Sequence, residues 1–254
     1  MPSRELTAAV EAAAAAAEVI RPFYRSALAV RTKADDSPVT DADVRAEQVI
    51  RAALERHCPG YGFYGEETGQ HAMQQSHVWL VDPIDGTKGF IRGTPYFSTQ
   101  IALLRDGALV LGVSSAPAVE ELAYAESGSG AFLNGERVQV SAVAELSQAH
   151  VSTGNLKSLA ASARWGRLAA LIGRVARIRG YGDFVHYHLL ARGALEAVIE
   201  SDVNILDIAA LAVIVREAGG LCTDLEGEAV GLGTHSVLAS NVALHAQLLA
   251  ALRP

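Results

Sequence analysis

The rhythm of apolar residues changes once along this chain, near residue 148, and that change restricts the fold more than any other feature. Before it, short apolar runs are joined by tight-turn signals. Residues 97–104 and 108–116 flank Arg105-Asp106-Gly107, and residues 121–125 and 130–133 lead into Asn134-Gly135. Asp-Gly and Asn-Gly pairs between such runs favour two-residue hairpins, so this stretch is expected to be largely antiparallel sheet. Runs at 61–64 and 78–81, separated by a hydrophilic loop over 68–77, add two strands. Beyond residue 148, strands (149–153, 177–179, 195–200, 236–239) alternate with helices (156–172, 184–191, 207–218, 241–252), and Gly219-Gly220 closes the third of these helices. Such alternation favours an α/β layer. Two helices precede all the strands. In the first, Leu6, Val10, Ala13, Ala17 and Ile20 recur at three- and four-residue steps ahead of Pro22; the second is opened by Thr40-Asp41-Ala42-Asp43 and stopped by Pro59-Gly60. The expectation is an α/β (α+β) chain of two integrated halves, 1–147 and 148–254, without repeats or low-complexity linkers.

At 254 residues, with 50% hydrophobic and 19% charged side chains, the chain can bury a full core without a disulfide or metal staple. Its two cysteines, Cys58 and Cys222, form no C-x-x-C, read as core residues and fit a reduced, cytoplasmic setting. A net charge of -7 argues against nucleic acid as the main partner. The apolar run 12–17 is flanked by Glu11 and Glu18, so neither a membrane span nor a secretory leader is expected. Trp79 and Trp165 read as core.

Acidic residues gather where predicted strands end. Gly65-Glu66-Glu67 follows the run at 61–64. Asp82-Pro83-Ile84-Asp85-Gly86-Thr87 follows the run at 78–81, and Asp207 opens the helix after 195–200. Carboxylates at strand ends converge on one rim of a sheet, and their mutual repulsion requires a cation. Oxygen donors without histidine or cysteine suit magnesium, calcium or manganese better than zinc. Pro83 stiffens the turn, Gly86 lets backbone approach a ligand, and Thr87 begins a short helix whose N–H groups can cradle phosphate. Singly, each group has a plainer reading: a turn for Asp-x-x-Asp-Gly, a helix N-cap for Asp207, a capping box for Thr40-x-x-Asp43. Their conjunction makes a turn-only account inadequate.

These strings, with Asp207-Ile-Ala-Ala210 and Glu217-Ala-Gly-Gly220, resemble the signatures of the inositol-monophosphatase-like phosphatase family from Lys33 to Asn241. Leu206 stands where that family usually has tryptophan. The resemblance implies a layered α-β-α-β-α sandwich and hydrolysis of a small-molecule phosphate monoester with two or three Mg2+ ions, which Mn2+ can replace. It places one metal on Glu66, Asp82 and the Ile84 carbonyl, and a second on Asp82, Asp85 and Asp207. It assigns Thr87 and Asp43 to the attacking water, with Glu66 in the catalytic set, and the N–H groups of Gly86 and Thr87 to phosphate. Lys33 falls in a loop the family sets near a third metal, a free surface lysine being the equal alternative, and a homodimer is implied.

Gly180-Tyr-Gly-Asp-Phe184 and Lys88-Gly-Phe90 are similar to the histidinol-phosphatase branch of that family. The implied substrate carries an ammonium and an imidazole, which Asp183 and Glu200 would face. Asp183 reads otherwise as the N-cap of helix 184–191, and Asp202 as a solvated loop residue. Inositol-1-monophosphatase is the main alternative within the family, with 3'-phosphoadenosine 5'-phosphate phosphatase and fructose bisphosphatase behind it; a haloacid-dehalogenase-type phosphatase, which needs Asp-x-Asp, is the mechanistic rival, and a non-catalytic ligand-binding relative is the alternative outside catalysis. His186 and His188, two residues apart on a helix, cannot share an ion and are expected to be packed.

Overall fold

The computed structural model describes residues 2–26, 30–32 and 38–253, so Lys33 lies outside the described residues. The chain runs α1 (Arg4–Ile20), β1 (Val30–Thr32), β2 (Pro38–Thr40), α2 (Asp41–His57), β3 (Gly62–Gly65), β4 (Gly69–His71), β5 (His77–Asp85) and α3 (Thr87–Ile91). It continues through β6 (Ser98–Arg105), β7 (Ala108–Ala116), β8 (Glu121–Glu126), β9 (Gly130–Leu133) and β10 (Glu136–Val138). The remainder is β11 (His150–Thr153), α4 (Leu156–Ala161), α5 (Trp165–Ile172), β12 (Arg177–Arg179), α6 (Asp183–Ala191), β13 (Ala197–Ser201), α7 (Ile205–Glu217), β14 (Gly220–Thr223), β15 (Ser236–Asn241) and α8 (Val242–Leu252).

Two sheets carry the fold. The eight-stranded sheet has the order β10-β9-β8-β7-β6-β5-β3-β4 and is antiparallel except between β3 and β5. The five-stranded sheet has the order β12-β11-β13-β15-β14, with β11 parallel to both its neighbours. Side-chain alternation assigns each strand to two cores. On β5, Trp79 and Val81 pack with α1 and α2, whereas Val78 and Leu80 join α6 and α7. On β13, Val198 faces that same central core, while Ala197 and Ile199 meet Leu159, Leu168 and Leu248 of α4, α5 and α8. The layers are therefore α1/α2, large sheet, α6/α7, small sheet, α4/α5/α8, which is the expected five-layer sandwich.

Both hairpin signals hold, because left-handed backbone is a local demand. Asp106 and Gly107 have φ of 49° and 81°, and Asn134 and Gly135 have 51° and 83°. Longer-range features depart from expectation. The helix expected over 156–172 breaks into α4 and α5, because the Ser162 hydroxyl donates to the Leu159 carbonyl at 2.7 Å and accepts the Arg164 N–H at 3.2 Å. Its side chain thus replaces helical backbone pairing. The break resets the helical phase, so Leu168 and Leu171 carry the buried stripe and Trp165, expected in the core, is 43% exposed. Inside the stretch read as a hydrophilic loop, β4 forms a polar edge strand with exposed Gln70 and His71. Cys58 and Cys222 are buried free thiols, and burial pushes Cys222 up to about 12.

The central layer depends on close approach of α7 to β7. A Cβ on Gly112 would come within 2.3 Å of the Ala210 carbonyl oxygen. Gly112→Ala is expected to cost about 2–3 kcal/mol, lowering the melting temperature by roughly 4–12 °C. An unchanged thermal melt would show that the two layers can part without cost.

Candidate active site

The carboxylate centre is assembled from strand ends and helix starts. At the end of β5, Asp82 Oδ1 accepts the Ile84 N–H at 2.9 Å, closing a local turn that leaves Oδ2 uncommitted to it. Gly86 then takes φ 83°, and a side chain there would meet the Tyr96 carbonyl at 2.6 Å. Asp207 arrives from the other half of the chain. Asn204 caps α7 and Asp207 is its third residue; Asp207 Oδ2 accepts the Asn204 N–H at 2.9 Å. Asp207 was expected to open this helix, but Asn204 does so, and the capping box aims Asp207 across the layer. One carboxylate oxygen from each of Asp82, Asp85 and Asp207 lies within 4.8 Å of the others.

Glu66 stands close enough to Asp82, Asp85 and Asp207 for its charge to push all three carboxyls upward. Its backbone is anchored, because the Glu66 N–H donates to the Val81 carbonyl at 3.1 Å. Sequence reasoning missed the support beneath it. Glu47 of α2, 1% exposed, accepts the Glu67 and Thr68 N–H groups at 2.8 and 2.9 Å. A signal existed, since Asp43, Ala46, Glu47, Ile50 and Leu54 form one helical stripe and all are buried.

The expected capping box at the start of α2 is present, and it reaches into the site. Asp43 Oδ2 accepts the Thr40 N–H at 2.8 Å and the Thr40 hydroxyl at 2.6 Å. The Thr87 hydroxyl donates to the Ile84 carbonyl at 2.9 Å and stands 3.5 Å from Asp43 Oδ1. Asp43 alone belongs to both the structural cap, with Thr40, and the candidate catalytic pair, with Thr87.

The electrostatics are those of anions held together. Burial raises Asp82 and Asp85 well above the usual carboxylate range; Glu66, Asp85 and Asp207 add to the first, and Asp183, Asp207, Glu200 and Glu66 to the second. Asp207 is pushed up to about 6 by burial, against the Asn204 N–H that favours its anion. Burial also raises Asp43, with the Thr40 hydrogen bonds opposing. Four mutually repelling acids with oxygen donors only are a fitting cage for hard divalent cations.

A cavity of about 350 Å³ opens beside this centre, lined by Asp85, Asp207, Thr153, Gly154, Tyr181, Asp183, Tyr187 and Glu200. Gly182, and not Asp183, holds the cap position of α6, and Asp183 makes no capping bond. Asp183 has a left-handed φ of 46°, and Asn155 (48°) and Asp202 (60°) share this conformation at or beside the cavity. Non-glycine residues rarely adopt it, and such positions concentrate at functional sites. Asp183 stands at the exposed lip, yet the surrounding walls and then the charge of Glu200 push it up to about 6, with His186 opposing. Asp202 is exposed, its carbonyl accepting from the Asn155 side chain at 3.2 Å. His186 and His188 are buried and diverge as expected: the first faces Ser152 and Glu200, the second Ser114 and Glu121. Leu206 is buried in the central core.

An oxygen-only cation cage at the mouth of a polar pocket, in a five-layer α/β sandwich, defines a metal-dependent phosphomonoesterase. The chain belongs to the inositol monophosphatase family, whose model matches residues 1–254. It is 44% identical over 229 residues to a histidinol-phosphatase of Mycobacterium tuberculosis, covering 87% of each chain. It is also 38% identical to an inositol-1-monophosphatase of Rhizobium meliloti, covering 84% of this chain and 82% of that one. The crystal structure of extragenic suppressor protein suhB from Bartonella henselae superposes with a TM-score of 0.90 at 32% identity, covering 99% of both chains. Among the described residues, no helix is long and apolar enough to cross a membrane.

Proposed function

We propose that the chain hydrolyses L-histidinol phosphate to L-histidinol and phosphate, with magnesium as its resident cation. The observation that carries this reading is a second pair of acids, Asp183 and Glu200, lining the same cavity as Asp85 and Asp207. Two carboxylates around a leaving group favour an amine-bearing alcohol and disfavour a polyanionic nucleotide. The 44% identity to a histidinol-phosphatase supports the same substrate.

In this reading Glu66, Asp82 and the Ile84 carbonyl would hold one cation, and Asp82, Asp85 and Asp207 a second. Bound there, divalent ions neutralise phosphoryl oxygens and acidify water. The protein's part is positional. Thr87 Oγ1, its own proton engaged by Ile84, keeps lone pairs to orient the attacking water. Asp43 Oδ1 stands behind it as proton acceptor, and burial moves this carboxyl upward, towards the range useful to a general base. Gly86 and Thr87 begin α3, where N–H groups lack helical partners and would hold the phosphate.

Activity across histidinol phosphate, inositol 1-phosphate and 3'-phosphoadenosine 5'-phosphate, with magnesium present and withheld, tests the reading. The first substrate is expected to give the highest kcat/KM. Faster turnover of inositol phosphate would transfer the assignment to the activity named for the Rhizobium meliloti relative. Asp183→Asn should raise KM for histidinol phosphate about tenfold, the equivalent of one lost charge contact of about 1.4 kcal/mol. An unchanged KM would remove Asp183 from the substrate site.

A further inference from the structure

Glu200 is held in a way that the hydrolysis of a phosphate ester does not itself require. Its carboxylate is almost wholly buried, at 6% exposure, yet lines the cavity. Oε2 is engaged from within the protein. The Tyr187 hydroxyl donates to it at 2.8 Å, and His186 Nε2 lies 3.2 Å away, an electrostatic contact rather than an aligned hydrogen bond. His186 is fastened from its other side, with Nδ1 3.1 Å from the Ser152 hydroxyl. That hydroxyl also accepts the Tyr181 N–H at 3.2 Å, tying in the loop that leads to Asp183. Oε1 occupies the space where residue 154 would carry a side chain: a Cβ on Gly154 would fall 1.8 Å from it. One oxygen of Glu200 is therefore committed to Tyr187 and His186, while the other lies against a wall that only glycine leaves open.

We infer that Tyr187 and His186 are positioning residues for selectivity, pinning Glu200 over Gly154 so that its second oxygen, with Asp183 across the cavity, receives the ammonium of the leaving group. An ionised carboxylate only accepts hydrogen bonds, and an ammonium only donates, three at a time, so two carboxylates, one of them held in place, match it. A neutral polyol can satisfy the same oxygens but gains no charge pairing. The inference rests on the histidinol phosphate reading above and adds the residues that impose the choice.

The test compares two substrates, histidinol phosphate and 4-nitrophenyl phosphate (no amine), on the magnesium-loaded enzyme. Tyr187→Phe keeps the ring and removes the pin; Gly154→Ala keeps both Tyr187 and His186 and displaces the carboxylate itself. For each variant, the ratio of kcat/KM between the two substrates is expected to fall about tenfold, as for loss of a hydrogen bond to a charged group. Most of the fall should lie in KM for histidinol phosphate, and inhibition by L-histidinol should weaken in parallel. Two variants acting from opposite sides of Glu200 keep the test decisive if one fails to fold. A purely structural role predicts equal losses on both substrates, and that outcome, or an unchanged ratio, overturns the inference. A wild-type enzyme with no preference for the amine ester would instead sink the substrate assignment on which the inference rests.

Discussion

Asp82→Asn is expected to lower kcat by about three orders of magnitude or more, and at the same time to raise the melting temperature of the metal-free protein. The first effect follows from its place in the centre: among the described residues Asp82 belongs to the one close carboxylate cluster and feels the charge of Glu66, and in the proposed scheme it is the ligand common to both cations. Three decades correspond to about 4 kcal/mol of transition-state stabilisation, within what charge neutralisation at a phosphoryl group supplies. The second effect follows from burial. Asp82 is 3% exposed and is raised by burial and then by Glu66, Asp85 and Asp207. A carboxyl raised on folding stabilises the fold fully only below its unfolded pKa, and that contribution is lost as pH climbs through the folded value. Above the unfolded value, burying this acid with no cation bound therefore costs stability. Asparagine removes the charge and keeps an oxygen for the Ile84 N–H. Thermal melts in chelator and steady-state assays in magnesium check both halves. A variant that turns over normally, or that melts lower in chelator, would contradict a shared-ligand role.

Stripping divalent cations at pH 7.5 should abolish activity and lower the melting temperature by about 5–10 °C relative to protein held in cation at a hundred times its dissociation constant. Such saturation contributes about 2.7 kcal/mol, and 1 kcal/mol moves a chain of this size by roughly 2–4 °C. The gap should narrow towards pH 5, and the sign can be worked through. In the cation-free fold Asp207 and Asp183 sit at about 6, above the usual carboxylate value of about 4. Near pH 5 these groups are largely protonated when folded, so little repulsion is present and protons compete with the cation. As pH rises through 6, the stripped fold acquires like charges that the unfolded chain separates, and it weakens. The cation-loaded fold pairs those charges and is spared. Calorimetric melts at pH 5, 6 and 7.5, with magnesium and with chelator, measure the gap. A gap that widens towards acid would mean that the acids are not the cation site.

Much of the centre was legible in the linear order of residues, because its chemistry is local. Asp82 and Asp85 share a proline-stiffened turn, and the Asp106-Gly107 and Asn134-Gly135 hairpins follow from backbone preference within two residues. The apolar runs that became β5 and β13 were legible as strands, but which residue faces which core was not, because both strands are buried on both faces. Other features depend on partners far along the chain. Glu47 reaches Glu67 and Thr68 across about twenty positions, and Glu200 meets Gly154 across more than forty. No local periodicity reports either contact. Trp165 faced outward for a comparable reason: the Ser162 side chain broke a helix that composition alone would have continued.

What residue order determined by itself was the kind of chemistry: hard oxygen donors after strands, a glycine-threonine start to a short helix, and acids in place of histidine or thiol ligands. What only the tertiary structure decided was which acids share one cavity and which oxygen of each is left to act. Turn and cap geometry is imposed by bonds between near neighbours. The commitment of a buried carboxylate oxygen, by contrast, is imposed by whichever distant groups the packed layers bring within about 3 Å of it.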